Sequence, residues 1–142
     1  MNPEIDQILN LSALKLMTDL APAMGAQYDQ GMTQVVAALL IMSAQEYDRA
    51  ADVRAAENAD MRVLFAELAP VVGDADLRRE LEEASAGRDE SLRVSALNAA
   101  NERLRRLLIR LQVHIEDSGG DTRRIWEVLK AMAGRRTLVL PG

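Results

Sequence analysis

Hydrophobic and polar positions along this chain recur at helical spacing almost from end to end, and the pattern centres on residues 32–44, MTQVVAALLIMSA, a stretch without a charge. Apolar or small side chains occupy nearly the whole helical wheel there, which predicts a helix buried on several sides. Gln34 and Ser43 interrupt the run. It is also too short to cross a hydrocarbon layer of roughly 30 Å, so it reads as a core helix and not as a membrane span.

That stretch belongs to a longer element. Tyr28, Met32, Val35, Leu39, Met42, Glu46, Ala50, Val53, Glu57, Met61, Leu64 and Leu68 succeed one another in steps of three and four with no proline between them, predicting one helix from about residue 24 to residue 68. At ~1.5 Å per residue it would be roughly 70 Å long, whereas a compact monomer of this size measures about 30–40 Å across. Either the helix breaks, at Asn58-Ala59-Asp60 or at Gly31, or a second copy of the chain covers its overhang. The unbroken helix and a homodimer are the expectation.

On the N-terminal side, Asn2 is placed to cap a first helix, with Pro3 in its first turn. Ile5, Ile8, Leu9, Leu16, Met17 and Leu20 form one face of it, and Leu11 and Leu14 a second. Two apolar faces imply two neighbours, and the helix should end before Pro22. On the C-terminal side, the Pro70-to-Asp74 segment predicts a turn, with Asp74 capping a short helix over residues 75–86 and Gly87 and Asp89 breaking it. Val94, Leu97, Asn101, Leu104, Leu108, Leu111 and Ile115 then predict a third major helix, ending near Asp117 at Ser118-Gly119-Gly120. Asp121 caps a last one, whose buried stripe is Ile125, Leu129 and Met132, with Trp126 beside it and Gly134 as its stop. The fold expected is all-α: an antiparallel helical bundle of four to five helices with one long central helix. Residues 1–134 form a single helical-bundle domain and 135–142 a short apolar tail.

Composition narrows the function. Cysteine is absent, which removes disulfides, thiolate metal ligands and a cysteine nucleophile and suits a reducing compartment. The first six residues carry no basic segment leading into an apolar one, unlike a secretory or transit peptide, so a cytoplasmic location is expected. A net charge of −5 opposes non-specific adhesion to nucleic acid or anionic lipid. Fifteen of the 17 basic residues are Arg, which with the abundant Ala suggests a GC-rich bacterial genome.

Two carboxylates, Glu46 and Glu57, fall on the apolar stripe of the long helix, where a charge is costly unless paired. If the chain reverses at Gly73, partners on the facing helix have position numbers summing to roughly 145, as in a hairpin of two helices. Glu46, Arg49, Asn98, Asn101 and Arg105 then form a polar layer. The layer reads first as a device that fixes helix register, and alternatively as a ligand pocket presenting an acid, a cation and amides. Arg103, Arg106 and Arg110 line one helical face that could hold an anion, since guanidinium groups match phosphate oxygens. The plainer reading is a solvated face with local pairing, Glu102 to Arg106 having the favourable spacing. His114 is the single histidine. No Glu-x-x-His pair accompanies it, so a carboxylate-bridged two-metal site and a multi-histidine zinc site have no support and no metal or cofactor is expected. Phosphate-binding glycine loops, nucleophile elbows and calcium loops are absent too.

The reading is a non-enzymatic helical-bundle protein that acts by self-association and protein–protein interaction, of the bacterial accessory or adaptor type. The alternative is a bundle that binds a small ligand, phosphate-containing or acyl-carrier-borne, at the Glu/Arg/Asn layer. Nucleic-acid binding has least support, because the acidic total is joined by a lack of aromatic residues between the arginines.

Overall fold

The computed structural model describes residues 3–139. Helix α1 covers Ile5–Lys15, a π-helical turn covers Leu16–Leu20, and the single turn α2 covers Ala21–Ala23. Helix α3 runs without a break over Gln27–Leu68, 42 residues. A 3-10 turn at Ala69–Val71 leads to α4 (Ala75–Ala86), α5 (Val94–Asp117) and α6 (Arg123–Arg135). The chain is an all-α bundle built on one long helix, which passes through both Gly31 and residues 58–60. No helix among the described residues is long and apolar enough to cross a membrane.

Two details at the N-terminal end differ from expectation. Glu4 stands at the start of α1, so Pro3 precedes the helix, while Asn2 lies outside the described residues. The first helix also does not stop before Pro22. The π-helical turn lengthens the backbone spacing just ahead of the proline, and helical geometry persists through Ala23. Thr18 Oγ1 donates to the Leu14 carbonyl at 2.9 Å within this turn.

Packing divides the chain into two compact units, residues 3–50 with 138 and 139, and Ala51–Thr137. The division falls inside α3, where neither proline nor glycine marks it.

The second unit holds the hydrophobic core. Met61, Leu64 and Phe65 of α3 pack with Leu77 and Leu81 of α4, with Leu104, Leu108 and Leu111 of α5 and with Ile125, Val128 and Met132 of α6. Asn58 reaches Leu97 and Asn101 near the start of α5, and Leu68 walls a cavity with Ile115 near its end. Helix α5 is therefore parallel to this part of α3. Arg124 pairs with Glu67 and Arg135 with Asp60, so α6 is antiparallel to it. The unit is a four-helix bundle of alternating direction. This corrects the register read from the sequence, in which a single reversal at Gly73 made α5 antiparallel to α3 and set Asn101 level with Glu46. The chain reverses twice, at residues 69–74 and again at 87–93, because α4 is a full layer of the bundle.

The turns are built as their residues dictate. Asp74 accepts a hydrogen bond from the Leu77 amide at 2.9 Å and caps α4. Helix α5 ends with the amides of Gly119 and Gly120 donating to the Glu116 and Ile115 carbonyls at 3.0 and 2.8 Å. Gly119 takes φ +69° there, the left-handed conformation that favours glycine. At α6 the N-cap is Thr122, not the expected Asp121; Asp121, one position earlier, accepts from the Arg123 amide at 2.9 Å, and the helix continues one residue past Gly134 to Arg135.

The first unit is built differently. Its buried side chains are Ala13, Ala21, Thr33, Ala37, Ala44 and Ala50. Small residues allow helix backbones to approach closely, but they remove little apolar area from water. Part of the tail joins this unit: Gln45 Nε2 donates to the Val139 carbonyl at 2.8 Å, and the Val139 amide donates to Gln45 Oε1 at 3.0 Å. The rest of the tail, from residue 140 onward, lies outside the described residues.

Candidate functional site

Two features of the bundle could carry function: a buried polar cluster in the second unit and an uncovered apolar stripe in the first. The cluster follows from the heptad spacing of α3, which places Glu57 among core positions and leaves it fully buried. Its oxygens are occupied by side chains from one other helix, α5, and from the chain beyond α6. Arg136 grips them with Nε and Nη2 at 2.6 and 2.7 Å, Asn101 Nδ2 donates at 3.0 Å, and Arg105 lies at 3.5 Å. Burial, the largest influence on Glu57, works against its ionisation. The hydrogen bonds and charge of Arg136, with smaller contributions from Asn101 and Arg105, outweigh it and hold the carboxyl below its ordinary range.

The cluster continues beyond Glu57. Asn101 Nδ2 also donates to Asn58 Oδ1 at 3.0 Å. Asn58 Nδ2 donates to Asp89 Oδ1 at 3.1 Å, and Arg62 Nη2 closes on the same carboxylate at 2.7 Å. A chain of hydrogen bonds thus ties α3, α5, the 87–93 connection and Arg136 together. With both Glu57 oxygens engaged, the carboxylate is not placed to serve as a base. The arrangement locks helices in register.

Of the layer read from the sequence, Asn101 and Arg105 meet at Glu57, and Asn98 accepts a hydrogen bond from Arg54 Nε. Glu46 and Arg49 belong to the first unit. Asn58, Asp89, Arg62 and Arg136 were not placed in this cluster from the sequence, although a carboxylate on a core stripe requires a buried cation and hydrogen-bond donors. Arg136 stands 79 positions away from Glu57, a distance over which helical periodicity says nothing. On the arginine face of α5, Arg110 forks onto Glu80, Arg106 sits 3.5 Å from Glu102, and Arg103 has no hydrogen-bond or ion-pair partner among the described residues. His114 is half-buried beside Ile115. No group of acidic or histidine side chains among the described residues is gathered as a metal site.

The second feature is the N-terminal half of the α3 stripe. Its C-terminal half, Ala50, Val53, Glu57, Met61 and Leu64, is buried. In the same four-three register, Tyr28, Met32, Val35 and Leu39 are exposed at 76, 47, 51 and 56%. The expectation that residues 32–44 are buried on several sides is thus corrected for the single chain, since only Thr33, Ala37 and Ala44 are buried there. On α1, Ile5, Ile8, Leu11 and Leu14 are exposed as well, as is Met17 in the π-helical turn. Apolar side chains exposed at successive helical positions are more than the singly scattered ones of an ordinary surface and mark an interaction site. Comparison with protein-family models, with curated proteins and with solved structures returns no match.

Proposed function

We propose that the chain is a non-enzymatic association module whose first unit pairs with a second copy of itself. The observation that carries this reading is the stripe Tyr28, Met32, Val35 and Leu39, which has the heptad spacing of a helix–helix seam and stays exposed in the single chain. A second copy is the favoured occupant because residues 32–44 bear no charge. Two acidic chains can meet there without burying like charges. The dimer then serves another protein as an accessory or adaptor, in a reducing compartment such as the bacterial cytoplasm, which the lack of cysteine suits.

The test is mass in solution by light scattering and sedimentation at micromolar concentration. The expected result is twice the chain mass of 15.6 kDa, reverting to the single chain in V35D/L39D with helicity of the second unit retained. A wild-type chain that stays monomeric at tens of micromolar overturns the proposal.

A further inference from the structure

The second unit carries a groove of about 500 Å³ between α4 and α5, floored by Ala84, Ala100, Leu104 and Leu107. Five arginines, Arg62, Arg88, Arg103, Arg106 and Arg110, line it against two glutamates, Glu80 and Glu83. On a chain of net charge −5 this concentration of positive charge runs against the average. The arginines are not equivalent. Arg110 is committed to Glu80 and Arg62 to Asp89, while Arg88 and Arg103 have no ion-pair or hydrogen-bond partner among the described residues.

One further observation points to a ligand. Arg88, Ala100 and Arg103, with Asp89 and Glu90, also wall an adjoining hollow of about 250 Å³, so the two uncommitted guanidinium groups stand where the cavities meet. The groove's volume falls in the range of roughly 300–1,000 Å³ of small-molecule sites, and its lining is richer in charge than most, which suits an anionic ligand.

We propose that this groove binds an organic phosphate monoester with an apolar body. The phosphate is held by Arg88 and Arg103 with Arg106 near, and the body lies on Ala100, Leu104 and Leu107. Guanidinium forks match phosphate oxygens geometrically, and a dianion satisfies more than one of them. The apolar floor distinguishes this ligand from a free inorganic anion.

The test is titration calorimetry of the full chain with hexyl phosphate, inorganic phosphate and hexanol as probes. Hexyl phosphate is expected to bind at least about tenfold more tightly than either of the others. The R88A/R103A variant is expected to lose about tenfold in that affinity with its melting temperature unchanged, since neither side chain holds the fold. R88K/R103K should recover part of the loss, because lysine retains the charge without the fork. Hexanol binding as tightly as hexyl phosphate, equal binding by wild type and R88A/R103A, or no heat with hexyl phosphate at millimolar concentration would each overturn the proposal.

Discussion

Replacing Glu57 by Gln removes one charge and almost no volume from the buried cluster, so its consequence can be worked from the contacts. The carboxylate accepts from Arg136 twice and from Asn101 once. A glutamine offers one acceptor oxygen, and its amide then faces one of these donors. Breaking a buried ion pair by removing one partner costs about 3–5 kcal/mol when the other charge is trapped. Here Arg136 and Arg105 are both 44% exposed and water takes over part of their solvation. The remaining cost is chiefly one buried donor without a partner, about 1–3 kcal/mol. E57Q should therefore lose about 2 kcal/mol, a shift of roughly 1 M in the urea midpoint at an unchanged slope. The measurement is urea unfolding followed by circular dichroism, at matched protein concentration because association adds to apparent stability. The sign of the pH dependence is also set. Because the folded-state pKa of Glu57 lies below its ordinary value of 4.5, its contribution is complete above that value and is lost as pH falls through the lower folded-state pKa. The difference between wild type and E57Q should thus be full at pH 7 and shrink toward pH 3, while other carboxylates act equally in both proteins. A difference under about 0.5 kcal/mol at pH 7, or one that does not change with pH, would refute the reasoning.

Local features allow smaller predictions. D74A removes the acceptor for the Leu77 amide and should cost about 1 kcal/mol in thermal or urea unfolding. G119A forces a side chain into φ +69° and should cost on the order of 1 kcal/mol. Its effect should exceed that of G134A, whose position is open and lies within α6.

What the sequence made legible was whatever depends on neighbours three, four or seven positions away. The α5 stripe from Leu97 to Ile115 is buried as its periodicity required, and Asp74 caps the helix its position announced. The polar cluster was half legible. Asn101 and Arg105 belong to it, but their partner is Glu57, because direction between helices depends on how many layers intervene. Counting only the reversal at Gly73, and not the second one after α4, inverted the direction of α5. The exposure of Tyr28 to Leu39 was not legible either, since an apolar stripe records that a helix needs a neighbour and not which chain supplies it.

The small buried residues of the first unit have a consequence for time as well as for space. Helix α3 is one hydrogen-bonded element, yet Met61, Leu64 and Phe65 are fully enclosed by large side chains while Gly31 to Leu39 rest on Thr33 and Ala37. Opening free energy follows the apolar contact a segment loses on opening. In dilute solution, amide deuterium uptake along this single helix should accordingly follow two clocks. Residues near 35 should exchange through brief local opening, and those near 64 only when the whole second unit unfolds.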